Sequence, residues 1–193
     1  MQRRPLLMLA AGCVLPAGRA ALAEPGLWPR LQDGGLVLLI RHAATAPGIG
    51  DPPDFVLAEC RTQRNLSAAG RRDAQALGAA LGAHRVPLAR VRSSRWCRCL
   101  DTARLAFGHA EPEPLLDSLF RQDDGRARAQ TATLLARLTG PDPAPARAGN
   151  TVLVTHDVNI RALVGLAVAP GEAVALRPAA SGLEVLGRLW RPG

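Results

Sequence analysis

Two of the four histidines stand directly after the two most apolar runs of the chain. The run "LVLLI" (36–40) continues into Arg41 and His42, and "TVLVT" (151–155) continues into His156. A neutral imidazole is a nucleophile near neutral pH, and a guanidinium binds an oxyanion with two donors at once. Two histidines at strand ends, each with a charged neighbour, therefore predict a functional site rather than a structural role.

Strands and helices alternate along the chain, and these elements must position the histidines. Short apolar runs bounded by turn residues predict strands, and apolar positions at helical spacing predict helices. The alternation predicts a three-layer α/β domain with a mostly parallel central sheet and helices on both faces. The predicted strands are 36–40, 88–94, 151–155, 172–176 and 183–189, and the predicted helices are 67–82, 99–107, 126–138 and one within 158–168.

Polar side chains follow each of the three strongest predicted strands. Ligands of open α/β sheets collect at the carboxyl ends of the strands, so we expect these side chains to meet at one edge. His84 and His109 stand at predicted helix ends and are interpreted as structural. The residues expected at the shared edge are Arg41, His42, Ser93, Ser94, Arg98, His156 and Asp157.

The first 23 residues have the pattern of an export signal. A basic start precedes an apolar run that is too short to cross a bilayer, and "ALA" (21–23) suits signal peptidase. Two variants stay open, a lipoprotein box ending at Cys13 and a twin-arginine signal. We expect residues 24–193 to form a single periplasmic or secreted domain, and no other stretch is apolar enough for a membrane span.

Three cysteines follow the predicted signal, and an exported protein meets an oxidising environment. Cys97 and Cys99 are too close in sequence to pair easily, so we expect Cys60 to form a disulfide with one of them. A metal site would need ligand spacings such as HxH or HExxH, and neither occurs. We therefore expect no metal ligand set and no other cofactor.

The basic charge of the chain favours an anionic partner. All 24 basic residues are arginine, and the predicted signal carries three of them and no acid, so its removal lowers the formal net charge from +8 to +5. Single-stranded nucleic acid needs stacking platforms, but only 3% of the residues are aromatic and no nucleic-acid-binding motif is present. A small anion such as a phosphate ester fits better than nucleic acid.

Four segments in order resemble the motifs of the histidine phosphatase superfamily, which includes phosphoglycerate mutases and acid phosphatases. "RHAAT" resembles its RHGxT signature, and the other three segments resemble the elements that follow it along the chain. The resemblance spans most of 35–165 and implies a phosphoglycerate mutase-like fold. The four segments are "RHAAT" (41–45), "NLSAAGRRDAQALG" (65–78), "SSRWCRCLDTA" (93–103) and "VTHDVNIRAL" (154–163).

The resemblance implies a phosphatase that works through phosphohistidine without a metal. His42 is then the nucleophile, and Arg41, Arg98 and His156 hold the phosphate. Asp157 matches the proton donor of the acid phosphatase branch. The mutase-like branch takes its acid from the segment corresponding to 115–124, which here offers Asp117, whereas Asp123 and Asp124 are interpreted as helix-capping residues.

The substrate implied by the resemblance is a small or glycolipid phosphomonoester, since the chain is also similar to lipopolysaccharide heptose phosphatases. We expect a shallow pocket covered by the loops 46–64 and 117–130. Arg61 and Arg64 precede the 67–82 helix and could face the substrate, but they are interpreted as solvated surface residues. Ala43 replaces the glycine of the signature, which keeps a second hypothesis open, an inactive protein that only binds phosphate.

Overall fold

The computed structural model describes residues 21–22, 26–140 and 149–191. Apart from Ala21 and Leu22, the predicted export signal lies outside the described residues. Within the described ranges, no helix combines the length and the apolar character that a membrane crossing requires.

A mixed sheet forms the centre of the fold. Among the described residues it has seven strands in the order β1-β7-β6-β2-β5-β3-β4. Strands β2, β5, β3 and β4 run parallel to one another, whereas β6, β7 and β1 extend the sheet through antiparallel pairs. The strands are β1 (Ala21–Leu22), β2 (Val37–Arg41), β3 (Leu88–Ser93), β4 (Glu111–Pro112), β5 (Asn150–Thr155), β6 (Ala173–Ala179) and β7 (Gly182–Arg191).

Helices cover both faces of this sheet. On one face, the apolar sides of α1, α2 and α3 pack against alternate strand residues such as Leu38 and Ile40. On the other face, α4 and α5 pack against Val37 and Leu39. Because both faces are covered, β2 is apolar at every position rather than at every second one. The helices are α1 (Leu27–Asp33), α2 (Ala68–Ala83), α3 (Cys97–Phe107), α4 (Asp124–Thr139) and α5 (Asp157–Val164).

This architecture confirms the predicted α/β fold with helices on both faces of the sheet. The predicted strands and helices are all present, with boundaries shifted by a few residues. The parallel half of the sheet includes β2, β5 and β3. Their carboxyl ends lie side by side, and the two histidine-bearing segments therefore share one edge.

The start of α2 packs closely against the segment that follows His42. Ser67 caps the helix, because its Oγ accepts a hydrogen bond from the Gly70 N–H at 3.0 Å. The backbone N–H of Ser67 donates to the Ala44 carbonyl at 2.9 Å. A Cβ atom at Gly70 would lie 2.0 Å from the Ala44 oxygen, so only glycine fits there. The "NLSAAG" segment thus anchors the loop that carries the predicted nucleophile.

Candidate active site

His42 and His156 lie next to each other at the carboxyl ends of β2 and β5. Their ring centroids are 5.4 Å apart and the ring planes are nearly perpendicular. The backbone N–H of His42 donates to the Thr155 carbonyl at 2.9 Å, which extends the β2–β5 pairing past the strand ends. Both histidines are about 95% buried. Residues more than a hundred positions apart therefore form one site.

The hydrogen bond of His42 determines which ring nitrogen is free. Nδ1 lies 2.9 Å from the Ala43 carbonyl oxygen. Because a carbonyl oxygen only accepts, Nδ1 carries the proton and Nε2 keeps its lone pair. Burial, with the charges of Arg98, Arg41 and Arg64, lowers the pKa of His42 to about 3. The ring is therefore neutral and nucleophilic at neutral pH.

Three guanidinium groups from different segments surround His42. Arg41 ends β2, Arg98 lies in the first turn of α3, and Arg64 precedes α2. Each lowers the pKa of His42 through its positive charge. In each of them the Nε atom is buried and has no hydrogen-bond partner. Buried donors without partners are uncommon, and three of them around one imidazole indicate a binding site for an anion.

The remaining contacts of these arginines hold the guanidinium groups in place. Arg41 donates through Nη1 to the Val168 carbonyl at 2.7 Å. Arg64 donates through Nη1 to the Gly48 carbonyl. Burial and the neighbouring positive charges lower the pKa of Arg64, and burial lowers that of Arg41. Burial, and for Arg64 also the neighbouring positive charges, therefore disfavours the charged forms of these side chains.

Asp51 provides the carboxylate that lies closest to this cluster. Its Oδ1 accepts a hydrogen bond from Arg98 Nη1 at 2.7 Å and another from the backbone N–H of Arg64 at 2.9 Å. Its Oδ2 accepts a hydrogen bond from Trp96 Nε1 at 2.9 Å. Its side chain is only 8% exposed. Burial by itself would raise the pKa of Asp51, but the bonds from Arg98, Arg64 and Trp96 outweigh burial and lower it. Asp51 is therefore an ionised partner of Arg98.

Ser94 links His156 to Asp117. The Ser94 hydroxyl lies 3.0 Å from His156 Nε2 and donates to Asp117 Oδ1 at 3.4 Å. Asp117 also accepts from the backbone N–H of Arg95 at 2.9 Å and from its Nε at 2.7 Å. Burial, with the adjacent His42 and Arg98, lowers the pKa of His156 well below its usual value. His156 is therefore neutral at neutral pH.

Residues 37–137, more than half of the chain, match the family profile of the histidine phosphatase superfamily (branch 1). The chain belongs to the histidine phosphatase superfamily. It is therefore a histidine-type phosphatase, which is a hydrolase. The family suggests a small phosphorylated substrate.

Solved structures show the same fold at low sequence identity. The protein histidine phosphatase SixA complexed with tungstate is 16% identical, with a TM-score of 0.53 over 80% of this chain and 95% of that one. Mycobacterial glucosyl-3-phosphoglycerate phosphatase with inorganic phosphate is 18% identical, with a TM-score of 0.56 over 83% and 98%. The putative phosphohistidine phosphatase SixA from Agrobacterium tumefaciens is 19% identical, with a TM-score of 0.53 over 83% and 99%. None of the curated protein sequences matches the chain at a significant level.

Asp157 of this histidine phosphatase has both carboxylate oxygens engaged. Oδ1 accepts from the Val168 N–H at 3.1 Å, and Oδ2 accepts from Arg161 at 2.7 Å. Burial by itself would raise the pKa of Asp157, but these bonds and the charge of Arg41 outweigh burial and lower it. Asp157 thus starts α5 as an ionised carboxylate, on the side of Arg41.

Ala43, which replaces the glycine of the RHGxT signature, is accommodated by apolar packing. The Ala43 methyl is fully buried and packs in a small apolar cluster with Leu66 and Ala74. Its N–H donates to the Thr102 hydroxyl at 3.0 Å. The methyl group therefore contributes to packing behind the loop.

A disulfide joins Cys60 to Cys97 across a sequence separation of 37 residues. The structure thus selects one of the two predicted pairings. Cys60 begins a short 3₁₀ turn (Cys60–Thr62), and Cys97 begins α3 directly before Arg98. Cys99 is free and buried, and its burial raises the pKa of the thiol to about 12. The crosslink holds the loop before α2 beside the guanidinium of Arg98.

Two residues of the site were not identified from the sequence. Arg64, which was interpreted as a solvated surface residue, lies in the guanidinium cluster, whereas Arg61 is exposed as expected. Asp51 lies in a proline- and glycine-rich loop, and its sequence context carries no signal of a site. Within the described ranges, no group of three or more potential ligand side chains could hold a metal ion.

Proposed function

We propose that this protein hydrolyses phosphomonoesters through a phosphohistidine at His42, without a metal ion. One observation carries the proposal: the buried Nε atoms of Arg41, Arg64 and Arg98 have no partner and surround a neutral imidazole. A tetrahedral phosphoryl group supplies oxygen acceptors for these donors. A phosphate ester therefore satisfies the hydrogen-bonding needs of the site.

The first chemical step forms a bond between His42 Nε2 and phosphorus while the bond from phosphorus to the leaving oxygen breaks. The Ala43 carbonyl holds Nδ1 as a donor, so the imidazole attacks without a separate base. The three guanidinium groups neutralise the phosphoryl oxygens as charge develops. A water molecule then attacks phosphorus and gives a proton to the carboxylate that protonated the leaving oxygen, the Nε2–phosphorus bond breaks, and inorganic phosphate leaves.

The leaving oxygen of an alkyl ester must receive a proton in the first step. We propose Asp157 for this role, on the basis of its position directly after His156. Asp117 is the alternative, because the Ser94 hydroxyl links it to His156. Both carboxylates accept hydrogen bonds from arginine. The pKa of Asp157 is lowered, so this carboxylate must gain a proton before it can act as an acid.

Export also remains part of the proposal. The signal pattern of residues 1–23 supports it, and a Cys60–Cys97 disulfide fits an oxidising compartment. Within such a compartment, a small or glycolipid phosphomonoester is a reachable substrate. Detection of a processed chain that starts near residue 24 in the periplasm or medium tests this part.

The phosphohistidine mechanism is tested with the variant His42→Asn and an aryl phosphate. We expect turnover by the wild type in the presence of a chelator and no turnover by the variant. His109→Asn is the matched control, since His109 is exposed and its Nδ1 contacts only the nearby Phe107 carbonyl. Labelled phosphate should be trapped on the wild type and not on His42→Asn. Turnover by His42→Asn would overturn the proposal.

The alternative hypothesis, binding of phosphate without turnover, is tested in the same assay. Tight binding of inorganic phosphate without turnover of any aryl or alkyl ester would support this alternative. Turnover that depends on His42 would exclude it.

A further inference from the structure

The mouth of the candidate active site is lined by aromatic rings. A small cavity of about 70 Å³ adjoins Arg98, and its lining includes Phe55, Trp96 and Phe120. The ring of Trp96 lies 5.5 Å from that of His156 and 5.7 Å from that of Phe55. A leaving group attached to a phosphoryl group on Arg98 would therefore lie against aromatic faces.

This concentration of rings is unusual for a chain so poor in aromatic residues. The sequence contains three tryptophans, three phenylalanines and no tyrosine. Three of these six residues line this cavity, and they come from three different segments of the chain. Phe120 is 49% exposed, whereas Phe55 and Trp96 are half-buried and Trp96 also packs against the core. An exposed aromatic residue grouped with two others at a cavity indicates a binding surface.

Exposed apolar side chains also lie in the loops that carry these rings. Among the described residues, the large exposed hydrophobic side chains are Ile49, Val56, Phe120 and Val185. Ile49 and Val56 belong to the segment that carries Asp51 and Phe55. Gly50 approaches the Phe120 ring so closely that a Cβ there would lie 3.1 Å from it. The loops that carry Gly50 and Phe120 thus contact each other, and of the four exposed side chains only Val185 lies outside these loops, on β7.

The polar groups that line the mouth already make contacts within the chain. The Asp51 carboxylate already accepts three hydrogen bonds. The Ser118 hydroxyl accepts from the Phe120 N–H at 3.3 Å and is buried. The guanidinium of Arg121 lies over the Phe120 ring, 5.5 Å from its centroid. A planar cation over an aromatic ring is suited to stacking on a further ring.

We propose that the substrates of this site are phosphomonoesters whose leaving group carries an aromatic ring. The phosphoryl group binds to the arginine cluster, and the ring of the leaving group packs among Phe55, Trp96 and Phe120. This inference rests on the proposed function and specifies its substrate class. It differs from the sugar or glycolipid esters implied by the family resemblance, whose hydroxyl groups need polar partners at the mouth.

The test compares two alkyl esters with leaving groups of similar basicity, phenethyl phosphate and glycerol phosphate. We expect kcat/KM of the wild type to be at least about tenfold higher for phenethyl phosphate, as expected for one well-packed ring. Phe120→Ser should remove most of this preference and leave inhibition by inorganic phosphate unchanged. Val185→Ser is the matched control, because Val185 is 41% exposed and lies on β7, outside the cavity lining.

Failure of this inference can be distinguished from failure of the proposed function. Equal turnover of both esters, or equal losses on both in Phe120→Ser, would overturn the inference and leave the phosphatase mechanism intact. Calorimetry on His42→Asn separates binding from chemistry. If no ester is hydrolysed but naphthyl phosphate binds this variant more tightly than inorganic phosphate does, the mechanism fails and the aromatic preference stands. Neither hydrolysis nor preferential binding would overturn both.

Discussion

The carboxylate of Asp51 accepts a hydrogen bond from Arg98 Nη1 at 2.7 Å, and both side chains are more than 90% buried. Asp51 therefore occupies one donor of the Arg98 guanidinium, to which we propose that the phosphoryl group also binds. The same carboxylate holds Trp96 through its indole N–H. Asp51 thus joins the anion site to its aromatic mouth.

Substitution of Asp51 by asparagine should strengthen phosphate binding. The amide keeps hydrogen-bonding capacity but removes a negative charge next to the incoming anion, so we expect inorganic phosphate to inhibit about three- to tenfold more tightly. Asp54→Asn is the control, since Asp54 is exposed in the same loop. Weaker inhibition in Asp51→Asn would show instead that the carboxylate orients Arg98 for binding.

Arg64→Gln should weaken phosphate binding more than Arg61→Gln. Arg64 has a buried Nε without a partner beside His42, whereas the Arg61 side chain is 83% exposed. Loss of a charge-assisted hydrogen bond should raise the inhibition constant of phosphate by about tenfold or more for Arg64→Gln. Equal effects of the two substitutions would place Arg64 outside the binding site.

Asp157→Asn should slow the hydrolysis of alkyl esters far more than that of aryl esters. An alkoxide needs a proton from an acid as it leaves, whereas a phenolate leaves readily without one. The measurement is kcat for the two ester types in Asp157→Asn and in Asp117→Asn. Equal losses on both ester types in Asp157→Asn, with a selective loss in Asp117→Asn, would assign the proton donor to Asp117.

Acidification should destabilise the fold through the two buried histidines. The pKa of His42 is lowered to about 3, and that of His156 is lowered well below its usual value, so both are neutral when folded. The unfolded chain binds protons below about pH 6.5, so the free energy of unfolding falls as the pH falls below that value. The maximal slope is about 1.4 kcal/mol per pH unit for each histidine.

This pH dependence is measured by urea unfolding between about pH 6.5 and pH 5, a range above the ordinary pKa of the carboxylates. His42→Asn should lose about half of the slope, because one of the two buried histidines is absent. His109→Asn should keep the slope of the wild type. An unchanged slope in His42→Asn would contradict the lowered pKa.

Reduction of the Cys60–Cys97 disulfide should lower both stability and activity. A crosslink that closes a loop of this length contributes roughly 2–4 kcal/mol to the free energy of unfolding. Because Cys97 directly precedes Arg98, the phosphatase rate should also fall. The double variant Cys60→Ser and Cys97→Ser should have the reduced stability and show no response to reductant. Unchanged melting temperature and rate after reduction would count against a supporting role.

The sequence by itself determined the scaffold and the two histidines. Continuous apolar runs such as 36–40 can only be buried between helix layers, and parallel strands place their carboxyl ends at one edge. His42 and His156 follow such runs, so their meeting could be predicted. The cysteine pattern narrowed the disulfide to Cys60 with one of two partners. These conclusions depend on periodicity and chain order, which a sequence displays.

Only the tertiary structure decided which loop residues belong to the site. Asp51 and Arg64 precede no strand and lie on no helix face, so the positions of their side chains depend on contacts with residues that are distant in sequence. The Cys60–Cys97 disulfide and the hydrogen bond from Trp96 to Asp51 set the course of this loop. The aromatic mouth has the same origin, since Phe55 and Phe120 lie in loops far apart in sequence. Local pattern specifies strands and helices, whereas the course of a loop follows from the surfaces on which it packs.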